Sequence, residues 1–193
     1  PALEILVLDI TICDRQNPQL LSGFNQYTPY SPRLRKLLQA QVPKSYYVGQ
    51  LSHLYRYNNE IFQRTLFYYQ KSDTNWLIDR HITQELIDNV ETAKLYEIDL
   101  YPYLLENLTA LVASAQQAGV EVRLVISPYF LPYAKRLQKL ETLKKAVEQL
   151  TDLPVWDYSE ALEEAAYFGD YQHINKQGSQ KFIQLMRADG VLP

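Results

Sequence analysis

The sequence predicts an α/β fold with a mostly parallel sheet and helices on both faces of that sheet. Two aliphatic runs, at 3–12 and 120–128, are continuous enough for strands buried on both faces. After residue 98, apolar patterns of helical period alternate with short apolar runs, which implies right-handed crossovers between parallel strands. At 193 residues, the chain 1–193 is expected to form a single α/β domain.

The first half of the chain predicts one regular strand followed by irregular structure. Residues 3–12 form the strand, and 14–32 are predicted as a loop because Asn-Pro and two further prolines fall there. Ser31 is suited to cap a helix whose first residue is Pro32, and the apolar stripe of that helix ends at Pro43.

A second helix is predicted over 50–70 and a weak one over 81–95, so that 14–98 is interpreted as an insertion or lid. The chain has 16 Tyr, and they concentrate in 27–103. Because Tyr joins an apolar ring to a polar tip, this region predicts either a surface for a partner protein or glycan, or a half-buried surface layer.

The second half is more regular. Its predicted elements are, in order, a helix at 101–118, a strand at 120–128, a helix at 134–150, a strand at 154–158, a helix at 160–167 and a closing helix at 176–188. Gly119 is predicted to end the first of these helices, and Ser159 to cap the helix at 160–167.

Composition argues against several classes of function. The net charge is −3 and the basic residues are scattered, which does not favour nucleic-acid binding. Cys13 is the single cysteine, so no intrachain disulfide can form. No run approaches the ~18 apolar residues of a membrane span, and no signal peptide is visible.

Cofactor and metal motifs are also missing from the sequence. There is no Gly-x-Gly phosphate loop, which weakens the alternative of a nucleotide-binding doubly wound domain. No His-x-x-x-His pair, cysteine cluster or calcium-loop spacing occurs. We therefore predict neither a cofactor nor a metal site.

In parallel α/β sheets, functional sites lie beyond the carboxyl ends of the strands. The polar side chains that follow predicted strands are Asp14, Ser127, Tyr129, Asp157 and the Asp170/His173 turn. We expect these residues to converge on one edge of the sheet.

Asp170 and His173 form the strongest chemical candidate. A carboxylate three residues before a histidine can fix the imidazole tautomer and stabilise its charged form, as a general base requires. The structural alternative is that Asp170 closes an Asx-turn and Asn175 caps the last helix. His53 and His81 lack a comparable neighbour in sequence and are not predicted to function.

Segment 168–178 resembles the last sequence block of the SGNH (GDSL-type) hydrolases, Asp-x-x-His-hydrophobic-Asn-x-x-Gly. The strand at 154–158 and the closing helix are also similar to that family, and the resemblance covers about 98–190. It implies a three-layer sandwich with a parallel sheet. It further implies that His173 is a general base and Asp170 its orienter, in an esterase or acyltransferase acting on esters, lipids or glycans. Ser127, Tyr129, Asp14 and Asn175 are candidate pocket residues.

The family's nucleophile block, Gly-Asp-Ser after the first strand, has no counterpart in this chain. One explanation is that an N-terminal segment carrying the serine is missing. The resemblance then extends to membrane-anchored proteins of bacterial envelopes, with any anchor in that missing segment. The other explanation is a degenerate, non-catalytic relative. We favour the first because the Asp/His pair is retained and the chain starts abruptly at Pro1.

Two further alternatives remain open. Ser127 ends a buried strand, but Pro128 follows it and no helix is predicted directly after to supply oxyanion donors, so we expect it to shape the pocket floor. The chain can also be a binding or assembly module that uses the Tyr-rich 27–103 region instead of a catalytic site.

Overall fold

The computed structural model describes residues 3–13, 18–57, 80–95 and 98–193. Within them the protein is mixed α/β, with a three-stranded parallel sheet as predicted. The strands are β1 (Ile5–Asp9), β2 (Glu121–Ile126) and β3 (Val155–Asp157). They lie in the order β1-β2-β3, so that the strand predicted over 120–128 is central.

The strand register brings the carboxyl ends of the strands to one edge of the sheet. Asp9 pairs with Val125, and Ile126 pairs with Asp157. The segments that follow the three strands therefore leave the sheet from the same edge, which is where sites of parallel sheets form.

The chain divides into two compact units, one of Gln16–Thr74 and one of Pro1–Arg15 with Asn75–Pro193. The described helices of the first, the helical unit, are α1 (Pro18–Gly23), α2 (Pro32–Gln41), α3 (Pro43–Leu51) and α4 (His53–Tyr57). Those of the second, the sheet unit, are α5 (Gln84–Asp88), α6 (Pro102–Gln117), α7 (Leu131–Ala134), α8 (Leu140–Thr151) and α9 (Lys176–Ala188). Short 3₁₀ turns occur at Ile10–Cys13, Phe24–Tyr27, Val90–Thr92 and Ala165–Tyr167.

Two apolar clusters cover β2. Leu124 and Ile126 lie in a cluster with buried residues of α6 and α8, such as Leu108 and Leu143. Val125, between them on the strand, lies in a second cluster with Phe182 and Met186 of α9. Because successive side chains of a strand point to opposite faces, β2 is buried by helices on both sides. The aliphatic run of the sequence is explained by this double burial.

The described part of the helical unit contains buried apolar and polar residues. Leu38 of α2 and Tyr46 of α3 are buried, as are the polar residues Asn25 and Thr28. The predicted start of α2 is confirmed, since Ser31 Oγ accepts a hydrogen bond from the Leu34 N–H at 3.2 Å.

The predicted loop at 14–32 is wrong in its described part, because α1 and a 3₁₀ turn occupy it. The first residue of α1 is Pro18, where a missing N–H costs no helical hydrogen bond. Pro43 likewise starts α3, so a helix begins earlier than the predicted 50–70. Prolines that were interpreted as helix breakers are in fact helix starts. Residues 58–70 of that prediction lie outside the described residues.

In the sheet unit, the helices predicted at 101–118 and 176–188 are confirmed as α6 and α9, and Gly119 follows α6 with a φ of +77°. The helix predicted at 134–150 is confirmed from Leu140 onward as α8, and the separate short helix α7 ends at Ala134. The helix predicted at 160–167 is wrong apart from its last turn, Ala165–Tyr167. Ser159 is used differently, because its carbonyl accepts a hydrogen bond from the Tyr129 N–H at 3.0 Å.

The predicted insertion spans 14–98, but residues from its last part belong to the sheet unit. Ile82, Val90 and Ile98 are buried in the same cluster as β2 and α6. Within the described ranges, no helix has both the length and the apolar character needed to cross a membrane.

Candidate functional site

Residues 168–174 form a closed turn ahead of α9. An antiparallel bridge joins Phe168 to Ile174, and the Gly169 N–H donates to the His173 carbonyl at 2.8 Å. Phe168 is fully buried, so the base of the turn is anchored in the core of the sheet unit. These contacts fix the backbone that carries Asp170 and His173.

The turn is held at the carboxyl edge of the sheet by the segment that follows β2. The Phe130 N–H donates to the Tyr171 carbonyl at 3.0 Å. The Tyr171 ring stacks on Tyr133 of α7, with centroids 5.2 Å apart and planes 5° from parallel. Gln172 Nε2 donates to the Tyr133 hydroxyl at 3.1 Å. These contacts join the Asp/His turn to the segment that follows the central strand β2.

Asp170 binds both the backbone of its own turn and the His173 ring. Its Oδ1 accepts from the N–H groups of Gln172 and His173, at 2.8 and 2.9 Å. His173 Nδ1 lies 2.9 Å from each carboxylate oxygen. Since a carboxylate only accepts hydrogen bonds, Nδ1 is the protonated nitrogen, and Nε2 of the neutral ring is an acceptor.

These hydrogen bonds outweigh the effect of burial on the Asp170 carboxyl. Partial burial raises the pKa of Asp170. The hydrogen bond from the His173 ring, the two backbone N–H groups and the attraction of the imidazole together lower this pKa by more than burial raises it. The net pKa lies below the usual value. Asp170 is therefore a carboxylate at neutral pH, the form that can orient an imidazole and stabilise an imidazolium.

The pair is accessible. The His173 side chain is 76% exposed and the Asp170 side chain 37%. Both interpretations of Asp170 made from the sequence hold together, because the same carboxylate closes an Asx-turn and contacts the imidazole. The arrangement is chemically competent for proton transfer through Nε2 of His173.

Asn175, predicted as a pocket residue or a helix cap, has the geometry of a cap. Its Oδ1 accepts from the Gly178 N–H at 3.0 Å, in the first turn of α9. Its Nδ2 donates to the Ala166 carbonyl at 2.7 Å, and the residue is only 2% exposed. Gly178 lacks a Cβ where one would overlap the Tyr167 carbonyl. The Asn-x-x-Gly half of the segment thus docks α9 on the chain before the turn.

His81, which was not predicted to function, lies beside this cap. Its Nδ1 is 3.3 Å from Asn175 Nδ2, and the neighbouring Ile82 N–H donates to the Phe168 carbonyl at 2.8 Å. The sequence carries no local signal for this contact, since 94 residues separate His81 from Asn175.

The candidate pocket residues Ser127 and Tyr129 lie in the segment that follows β2. Ser127 is half-buried just past β2. Tyr129 is 7% exposed and contacts Ser159 through its backbone. Asp14 lies outside the described residues. A helix does follow Ser127, but α7 begins four residues later and has only four residues.

Among the described residues, no group of three or more His, Cys, Asp or Glu side chains is arranged to hold a metal ion. No protein-family model, curated protein or solved structure matches the chain. The function is therefore argued from the geometry of the site.

Proposed function

We propose that this chain carries the general base and its orienting carboxylate for an SGNH-like serine esterase or acyltransferase. The observation that carries the proposal is the contact of His173 Nδ1 with both Asp170 oxygens, at 2.9 Å, on an exposed turn beyond the parallel strands. His173 is the base and Asp170 the orienter. The substrate class is an ester or an acylated glycan or lipid.

The finer fold belongs to the same proposal. Helices α6 and α8 pack in one cluster with β2, and α9 packs in the other, which supports a three-layer sandwich of the SGNH type. The order of β3, the Asp/His turn and the closing helix supports the same assignment.

In the proposed reaction, a serine Oγ attacks the ester carbonyl carbon while Nε2 of His173 takes the hydroxyl proton. The tetrahedral intermediate then expels the alcohol, which receives that proton from Nε2, and the acyl group stays on the serine. Water or an acceptor alcohol next attacks the acyl-serine, again giving its proton to Nε2. The products are an acid or a new ester, with the serine restored.

The serine itself is not assigned among these 193 residues, because the family's Gly-Asp-Ser block has no counterpart in the sequence. We therefore expect the isolated chain to be inactive, with the nucleophile supplied by sequence outside it. The complete gene product is the proper material for the test.

The test is labelling with a fluorophosphonate probe, which reacts with activated serines. We expect the complete gene product to be labelled, and His173→Ala to slow labelling by about 10²- to 10⁴-fold, the usual contribution of a general base. His53→Ala is a matched control, since His53 lies on α4 of the helical unit, and its labelling rate should equal that of the wild type. Equal rates for wild type and His173→Ala would refute the assignment.

A binding or assembly module remains the second candidate, and one observation favours it. The helical unit exposes large apolar side chains, with Tyr30 82%, Leu51 89% and Leu54 74% exposed. Such side chains on a surface are typical of interaction sites. This candidate predicts no serine labelling of the complete gene product under any condition, so the same experiment separates the two.

A further inference from the structure

A cavity of about 460 Å³ lies in the sheet unit, away from the segments that form the Asp170/His173 turn. One side is formed by the chain that follows the 3₁₀ turn Val90–Thr92, and the other by the connection from α7 to α8. The volume falls in the range of about 300–1,000 Å³ that is typical of small-molecule sites.

Three cationic side chains line this cavity, Lys94, Arg136 and Lys139, and no acidic side chain lines it among the described residues. Lys139 Nζ is 3.9 Å from Asp99 Oδ1, but both side chains are more than half exposed, which makes the pair weak. Within the described part of the chain, Lys94 and Arg136 form no ion pair. The described residues that line the cavity therefore carry excess positive charge.

Arg136 is fixed in the wall by backbone carbonyls. Its guanidinium donates to the Val90 carbonyl and, at 3.1 Å, to the Ala93 carbonyl. These bonds hold the 3₁₀ turn in place without neutralising the charge, because carbonyls carry no net charge. They also use two of the nitrogens that would otherwise bind a planar carboxylate as a fork.

The cavity residue Lys139 lies directly before α8. Lys139 precedes α8 in the left-handed conformation, with a φ of +65°, and its side chain does not cap the helix. The first N–H groups of this 12-residue helix carry a partial positive charge, which the carboxylate of Glu141 in the same turn offsets.

The remaining wall is apolar. Ile98, 1% exposed, belongs to the core of the sheet unit, and Leu95 packs against that core. A ligand that fits this cavity therefore combines an anionic group with a short apolar group.

We propose that the cavity binds a phosphate monoester with a short apolar substituent. Separate cations suit a tetrahedral dianion with several oxygens, whereas a carboxylate prefers the planar fork that Arg136 has already used. The site is independent of the function proposed for His173, since binding requires no catalysis.

The ligand test is a titration of the chain with butyl phosphate, followed by ¹H–¹⁵N chemical shifts or by calorimetry. We expect saturable binding that weakens as salt is added, because exposed charges are screened. Inorganic phosphate should bind more weakly, by about fourfold for each methylene that the cavity buries. Butanol should not saturate. Pentanoate binding more tightly than butyl phosphate would overturn the phosphate assignment.

The variants remove charge without disturbing Arg136. Lys94→Gln and Lys139→Asn should each weaken the binding of butyl phosphate by about fivefold, and the double variant should weaken it by about 20-fold. Asn is chosen at 139 because it tolerates the left-handed conformation. Lys145→Gln is the matched control, an exposed lysine of α8 that pairs with Glu141, and its affinity should stay within about twofold of the wild type.

Circular dichroism of each variant checks that the fold is retained. The absence of saturable wild-type binding, or a folded double variant with wild-type affinity, would overturn the proposal. The outcome does not depend on serine labelling, so failure here and failure of the proposed function can be told apart.

Discussion

The two halves of segment 168–178 use their polar side chains in opposite ways. Asn175 is buried, and its side-chain amide forms hydrogen bonds with the backbone of the preceding turn and of α9. Asp170 and His173 are accessible, and Nδ1 of the imidazole contacts the carboxylate. The Asn175 half therefore fixes the backbone, and the Asp170/His173 half exposes the groups that can transfer a proton. Substitutions should therefore separate stability from proton transfer.

The largest loss of stability is expected for Asn175→Ala. The change removes the cap of α9 and leaves the Ala166 carbonyl without its donor, which together cost about 3 kcal/mol of unfolding free energy. Chemical denaturation of the chain measures this loss of unfolding free energy. Asn175→Ser keeps an oxygen that can cap α9 but loses the amide donor, and should cost about half as much. A loss below 1 kcal/mol for Asn175→Ala would contradict the structural role of the cap.

Gly178→Ala should be the next most damaging change. The added methyl group overlaps the Tyr167 carbonyl, and overpacking against backbone costs about 2 kcal/mol. Gln177→Ala is the control, because Gln177 is exposed in the same turn of α9 and should alter the unfolding free energy by less than about 0.5 kcal/mol. Equal stabilities of the two variants would show that α9 does not dock as described.

The smallest and most pH-dependent effect is expected for Asp170→Asn, at about 1 kcal/mol near pH 7. Because the folded pKa of Asp170 is lowered, its contribution is present above the unfolded pKa, near 3.9, and is lost as pH falls through the folded value. Denaturation of wild type and variant from pH 7 to pH 2.5 should give curves that converge at low pH. A difference that persists undiminished at pH 2.5 would contradict the lowered pKa.

Elements whose signals are local were predicted well. The periodic helices α6 and α9, the central strand β2 and the cap at Ser31 all depend on residues within a few positions of one another. The Asp170–His173 contact also spans only three residues, so the spacing alone anticipated it. The elements at Pro18 and Pro43 were predicted poorly, because each of these prolines can end one element or start the next with equal local cost.

The sequence by itself determined the α/β class, the parallel strands and the Asp/His turn, since each follows from hydrophobic period or short-range hydrogen bonding. Tertiary structure alone decided the contact of His81 with Asn175, across 94 residues. It also decided the cavity, whose lining residues come from segments before and after α6 in the sequence. It also decided that Tyr133 and Tyr171 stack to hold the turn at the sheet edge. The physical reason is that such contacts depend on how distant elements pack, and packing leaves no periodic signal in the chain.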